Sequence, residues 1–422
     1  MLQNTFSKFF DNNEQYRWRI AIVLFGTVLV GYFDRLNISF AIPLMAIEYN
    51  WDEQQVRDNG SLLMGVFYLG YGFSNIFLTP IAAKFGPRKS LIMIMILWSF
   101  FTAIGAWVSQ FMMLFIASRV LLGVSQGVHF PMMAQLTKNW FPLAERAKAN
   151  SIWISGAFVA VLFAPIILVP MMANFGWRSG FILLAIFGLF VSLPLVYFFI
   201  QDTPKRQKGI SQKEIELIQK SGEQEQHLTG ATDNLLLLMT SPSFLLLTVI
   251  GVFNNIVAIG VSSWIPTYFT SQKGIPFADI AWLVSLPYVF SLIGIAIWSY
   301  LGDKHNARTL IAALGYLACG LMLYLALNAN ELWLIAILFS TAILFIASYN
   351  ACEYAIVQRL LPKEKVATGT GVYNGITTMV GGGLGPLVVS PIIGNGAGTW
   401  VISVICIVNA LMLISIYRTV KY

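Results

Sequence analysis

The sequence predicts an all-α membrane protein of twelve transmembrane helices in two six-helix halves, with both termini cytoplasmic. Three observations predict it: long apolar runs, a one-sided placement of basic residues, and a repeat between the halves. Of the 422 residues, 57% are hydrophobic and only 11% charged, with a mean hydropathy of +0.72. Soluble domains carry about 25% charged residues, so this chain lacks the surface that would keep it dispersed in water. A soluble enzyme and a disordered scaffold are both excluded.

A hydrocarbon core of ~30 Å takes about 20 residues of helix. Apolar segments recur at 19–45, 60–83, 90–109, 112–138, 150–174, 180–201, 243–270, 279–301, 309–327, 332–360, 367–394 and 400–417. A membrane barrel would instead show alternating segments of ~10 residues. Cys319, Cys352 and Cys406 all lie in apolar stretches, with neither a disulfide framework nor metal-ligand spacing. No cofactor or metal is expected. The stretch Met1 to Arg19 is polar and lacks the short apolar core of a signal peptide.

The net charge of +7 does not point to nucleic acid, because of where the basic residues fall. Of the 26 Lys and Arg, only Arg57, Arg178 and Lys273 lie in one set of loops, and Arg35 and Arg119 lie within spans. The others occupy the opposite loops and the two ends of the chain. This is the positive-inside pattern, and it puts both termini in the cytoplasm. A polar connection from Asp202 to Ser241 divides the chain into a first half, 1–201, a linker, 202–242, and a second half, 243–422. Ser211-Gln-Lys-Glu214 in the linker has capping-box spacing and predicts one short surface helix.

The halves resemble each other at an offset of about 220 residues. Lys84-Phe-Gly-Pro-Arg88 lies opposite Lys304-His-Asn-Ala-Arg308. Phe141-Pro142 followed by Pro165 and Pro170 lies opposite Leu361-Pro362 followed by Pro386 and Pro391. A repeat of six spans gives two halves of the same orientation, the parallel arrangement of carriers with a central site.

Two motifs resemble the major facilitator superfamily. Arg119-Val-Leu-Leu-Gly123-Val-Ser-Gln-Gly127 fits its Arg-x3-Gly-x3-Gly pattern, and Ala82-Ala83-Lys84-Phe85-Gly86-Pro87-Arg88-Lys89 is similar to its loop between spans 2 and 3. Thr79 and Ala83 depart from that loop motif, where a Gly and an Asp are usual. Asp303 keeps the acid in the second half, so the latch this motif implies is expected to rest there. Within the superfamily the chain resembles the anion:cation symporters, which include bacterial sugar-acid transporters and sialin. Gly31-Tyr-Phe-Asp34-Arg35-Leu-Asn37-Ile-Ser39, Trp140-Phe-Pro-x2-Glu145-Arg146, Ile210-Ser-Gln-Lys-Glu214 and Trp264-Ile-Pro266-Thr-Tyr268 carry that resemblance. It implies the major facilitator fold, a monomer, and a small organic anion as substrate.

Asp34 and Arg35 point to chemistry on physical grounds as well. A charge at the centre of a span costs ~2.5–3.5 kcal/mol on insertion scales, so such residues mark a pathway or a partner. Asp34 lies about 22 Å of helix beyond Arg19, deep in the bilayer. Burial favours the neutral carboxylic acid and a nearby Arg favours the carboxylate. An Arg that moves can therefore make the acid take up and release a proton. Arg119 is the candidate partner of Asp34, and Arg35 the candidate contact for an anion. A static Asp–Arg pair that only packs helices is the plainer alternative.

Seven residues after Arg119, where the resemblance implies a titrating glutamate in the family's proton symporters, stands Gln126, itself a candidate substrate contact. Either Asp34 carries coupling alone, or another group substitutes, or coupling is lost and membrane potential drives transport. His129 follows, an imidazole that titrates near neutral pH and fits a proton relay. Glu353 is the one acid deep within a span of the second half, as a gate residue or a substrate contact. Tyr32, Tyr68, Tyr71, Asn254, Asn255, Tyr288, Tyr349, Asn350, Tyr373 and Asn374 are polar side chains in apolar runs. They suit the hydroxyls of a polyol-like acid, or hydrogen bonds between helices. Gly369-Thr-Gly371 and Gly381 to Gly385 do not form a phosphate loop, since no Gly-Lys-Ser/Thr closes it. They are expected to allow close packing and bending.

Together these readings predict a secondary transporter of the bacterial cytoplasmic membrane that takes up a small organic anion with protons. Potential-driven anion transport or exchange is the alternative, followed by organophosphate exchange and siderophore or drug export.

Overall fold

The computed structural model describes residues 15–207, 209–226, 241–305, 307–360, 366–392 and 399–417. The amino-terminal polar stretch before residue 15, the Leu361-Pro362 loop and the Asp303 side chain lie outside what is described.

The first half runs α1 (Tyr16–Glu48), α2 (Glu53–Phe85), α3 (Pro87–Val108), α4 (Met112–Trp140), α5 (Leu143–Phe175) and α6 (Arg178–Phe199). The linker carries α7 (Gln212–Gln226). The second half runs α8 (Pro242–Gln272), α9 (Ala281–His305), α10 (Arg308–Asn328) and α11 (Leu332–Leu360). It ends with α12, composed of Val366–Ile376, Thr377–Gly382 and Gly383–Val389, and α13 (Thr399–Ile416). Among the described residues, ten helices are long and apolar enough to cross a membrane, and Trp400–Ile416 is a shorter apolar helix. The predicted apolar segments all fall on these elements.

Local chemistry sets the ends. Asp52 and Gln55 form a reciprocal capping box at the start of α2, with bonds of 2.7 and 3.0 Å. Gly86 adopts φ +87°, a conformation L side chains rarely reach, and so turns the chain sharply from α2 into α3. Trp107, Phe175 and Trp333 stand outward at 77%, 78% and 66% exposure, apolar surface that water would leave unmatched and a bilayer would cover.

The repeat read from sequence reappears in the packing. Within the first half α1 packs on α5 and α6, α4 on α2 and α3, and α3 on α6. Within the second, α8 packs on α12 and α13, α11 on α9 and α10, and α10 on α13: the same pairs seven labels later, α7 being the linker helix. Across the halves, α2 meets α12, α5 meets α9 and α1 meets α8. Glycine makes these crossings close. A Cβ on Gly65 would strike the Gly383 carbonyl, and one on Gly60 would strike the Trp264 ring. Ser61 and the Trp264 indole both donate to the Pro386 carbonyl, at 3.2 and 2.7 Å, joining α2 and α8 to α12 near the Glu53 end.

Two expectations change. The linker helix forms where Ser211 predicts, and Ser211 accepts from the Glu214 amide at 3.2 Å. Glu214 does not complete a capping box, because its carboxylate is buried and accepts from the Tyr16 and Arg17 amides at 3.0 and 3.1 Å and from the Arg17 guanidinium at 2.8 Å. Glu145 takes the other edge of Arg17 at 2.7 Å. The second change concerns the α2–α3 loop. Ala83 leaves it without an acid, and Asp202, beyond α6, supplies one by accepting from the Arg88 amide at 2.8 Å.

Candidate functional site

Helical spacing selects which side chains face the middle of the bundle. Residues three, four and seven apart share a face, and such sets line one cavity of about 320 Å³ between the halves. From the first half come Tyr32, Arg35 and Leu36 of α1, Tyr68 and Tyr71 of α2, Phe130 of α4 and Val161 of α5. From the second come Asn254, Asn255, Ile259 and Ser262 of α8, Tyr288 of α9, Asn350 and Glu353 of α11, and Asn374 and Thr378 of α12. The cavity adjoins a second one of about 530 Å³, lined by Asn75, Thr79, Pro131, Trp153, Thr370 and Gly371, with Phe130 and Asn374 common to both. That second cavity lies toward the Phe85 end of α2, opposite the Pro386 junction.

Arg35 sits among aromatic faces. Its guanidinium carbon is 4.5 Å from the Tyr71 ring centre, 4.6 Å from Tyr32 and 5.6 Å from Phe130. Such ring faces attract a cation without neutralising it. Asp34, one residue earlier, turns away from the cavity and is fully buried. Its Oδ2 accepts from the Thr102 hydroxyl and from the Gln126 amide, both at 2.9 Å, while Oδ1 is buried with no partner among the described residues. Gln126 also accepts from Arg35 Nε at 3.1 Å, so one neutral amide bridges the two neighbouring charges.

Arg119 is buried as well. Its Nε donates to the Leu63 carbonyl at 3.3 Å, and one terminal nitrogen has no partner. The expected pairing with Asp34 is absent from this conformation: among the described residues no ion pair joins them. His129 opens the second segment of α4 and faces Thr27 at 3.1 Å. The Thr27 hydroxyl is given to the Leu24 carbonyl, so the imidazole donates. It packs beside Trp98, buried and hydrogen-bonded to neither Asp34 nor Arg119.

The second half contributes two chains of hydrogen bonds. Tyr316 donates to Asn254, whose amide donates to Asn350 at 3.2 Å. Tyr349 and Tyr373 share a hydroxyl bond of 2.7 Å, and Tyr373 donates to Glu353 at 2.8 Å.

Of the residues predicted for substrate, Tyr32, Arg35, Tyr68, Tyr71, Asn254, Asn255, Tyr288, Asn350 and Asn374 line the cavity together. Gln126, Tyr349 and Tyr373 do not; they are buried behind it, Gln126 against Arg35 and the two tyrosines against each other. Sequence reasoning missed Thr102, Tyr316, Phe130, Ser262 and Thr378. Thr102 left a faint signal as a polar residue three after Ser99 in an apolar run, whereas Phe130 looks like any core aromatic.

A family model described as Major Facilitator Superfamily matches residues 24–386 and 269–420. The chain is 27% identical over 286 residues to the "Probable sulfoacetate transporter SauU" of Cupriavidus necator, a stretch covering 66% of this chain and 63% of that protein, under two thirds of its length. It is 24% identical over 437 residues to the D-galactonate transporter of Escherichia coli, covering 96% of each. The structure of a D-xylose-proton symporter superposes with a TM-score of 0.74 at 16% identity, covering 94% of this chain and 97% of that one, a likeness of fold.

Proposed function

We propose that this chain, which belongs to the Major Facilitator Superfamily, carries a small organic anion, a sugar acid or other carboxylate, by alternating access and coupled to protons. It is a transporter and not an enzyme. The reading includes twelve spans, halves at 1–201 and 243–422, both termini in the cytoplasm, and insertion as a monomer in a bacterial inner membrane. On that topology the 530 Å³ cavity faces the cytoplasm and the Pro386 junction seals the outside.

The observation that carries the proposal is the bridge Arg35–Gln126–Asp34 at the cavity wall. An anion entering the cavity meets one guanidinium held among rings, with no carboxylate within ion-pair distance among the described residues. Drawing Arg35 toward the substrate loads or releases the Gln126 carbonyl, and through the same amide alters the hydrogen bond to Asp34. Arg119 supplies the second half of the switch. A charged Asp34 attracts the unpartnered guanidinium nitrogen, and a protonated one releases it. Helix α4 carries Arg119 and Gln126 while α1 carries Asp34 and Arg35, so this exchange acts at the α1–α4 boundary.

Relatives named for sulfoacetate and D-galactonate support an anionic substrate. Gln126 also favours a second reading, potential-driven transport, because an amide cannot titrate. Uptake of an organic-acid panel into proteoliposomes separates them. An imposed inward proton gradient at zero potential should drive accumulation of a carboxylate; accumulation that follows potential and ignores the pH gradient would sink proton coupling.

A further inference from the structure

The cavity brings together a guanidinium and a carboxyl group, and among the described residues neither has an ion-pair partner. On the first-half wall Arg35 has aromatic rings and the Gln126 amide for neighbours. On the second-half wall Glu353 accepts one hydrogen bond, from Tyr373, although a carboxylate has about four acceptor positions. Both side chains line the same 320 Å³ space, and among the described residues no ion pair reaches either. The second-half wall around Glu353 is otherwise amide and hydroxyl: Asn254, Asn255, Asn350 and Tyr288.

Resting on the organic-anion reading above, we propose that the substrate is an organic acid that also carries an ammonium group. Its carboxylate or sulfonate sits against Arg35 and its ammonium against Glu353. Electrostatics favours this occupant over a simple anion. A monoanion satisfies Arg35 and leaves Glu353 without a partner, so that closing the cavity must either bury a bare carboxylate or protonate it. A dianion adds repulsion from Glu353, a built-in discrimination against diacids. A zwitterion neutralises both walls at once and draws them together, which is what closing the cavity requires. The space equals roughly ten water volumes, enough for a six-carbon amino acid with hydroxyls that reach the asparagines.

The test is a thermal-shift and uptake series with the full-length protein. Probes are matched pairs: D-gluconate with 2-amino-2-deoxy-D-gluconate, lactate with alanine, and isethionate with taurine, plus glucarate as a diacid. The wild type should bind the amino member of at least one pair about tenfold or more tightly, the scale of a close charge pair, and bind glucarate worst. Glu353→Gln keeps an oxygen that accepts from Tyr373 and removes the charge, so it should erase that preference while still binding the hydroxy acid. Glu353→Asp should retain the preference. Hydroxy acids bound as tightly as their amino partners, or a preference that survives Glu353→Gln, overturn the proposal while leaving organic-anion transport standing. Binding of no probe by folded wild type overturns both. Should Glu353→Gln not fold, the wild-type preference alone decides.

Discussion

Asp34, Arg35 and Gln126 hold the site together through one amide, and that geometry sets what each substitution does. Gln126→Glu replaces a donor to Asp34 with a second carboxyl group. Two adjoining acids cannot both ionise at little cost, so this variant should bind a proton that the wild type does not. Its transport should fall with rising pH more steeply than wild type, measured as initial uptake from pH 5 to 8; superimposable profiles would refute the bridge. Arg35→Lys keeps the charge but loses the planar contact with the rings of Tyr32 and Tyr71 and the Nε bond. It should weaken substrate binding about tenfold or more, read as a raised half-saturation for uptake. The charged members of this site were legible in the sequence because a charge inside a span is rare. Thr102 and Tyr316 were not, since a threonine or tyrosine crosses apolar sequence without disturbing its pattern and only packing shows what it bonds.

At the scale of elements, α2 and α12 meet through glycine, and α7 is tied to the first half through Glu214. Gly65→Val forces a side chain against the Gly383 carbonyl. Overpacking of that kind costs about 1–3 kcal/mol, which should depopulate the conformation sealed near Pro386. Labelling of a cysteine introduced at Ser262 from the outer side should then speed up, while unchanged labelling would show that the crossing is not part of the seal. Glu214→Ala removes the acceptor for two backbone amides at the start of α1 and for one edge of Arg17. Arg17 keeps Glu145, so the fold should persist while α7 detaches, seen as faster proteolysis within 207–241. The sequence made this helix visible through its capping spacing but put Glu214 in the cap. The carboxylate goes instead to a buried Arg and to helix-start amides, where three bonds, one of them from a guanidinium, outweigh the single bond a capping box would give.

For the whole molecule, apolar length and the superfamily motifs were enough to read an all-helical transporter of the major facilitator fold, because membrane burial imposes long apolar helices on any such chain. Which helices touch across the halves was not legible; it depends on glycine positions that sequence alone leaves ambiguous. The account treats those halves as rocking about the cavity while Asp34 exchanges a proton as substrate moves. Substrate-evoked proton entry into proteoliposomes, recorded with an internal pH dye at clamped potential, tests this most directly. Wild type should acidify the lumen when substrate is added outside, and Asp34→Asn should still exchange substrate yet move no protons. Acidification that persists undiminished in Asp34→Asn, or its absence from wild type during measurable uptake, would contradict the account.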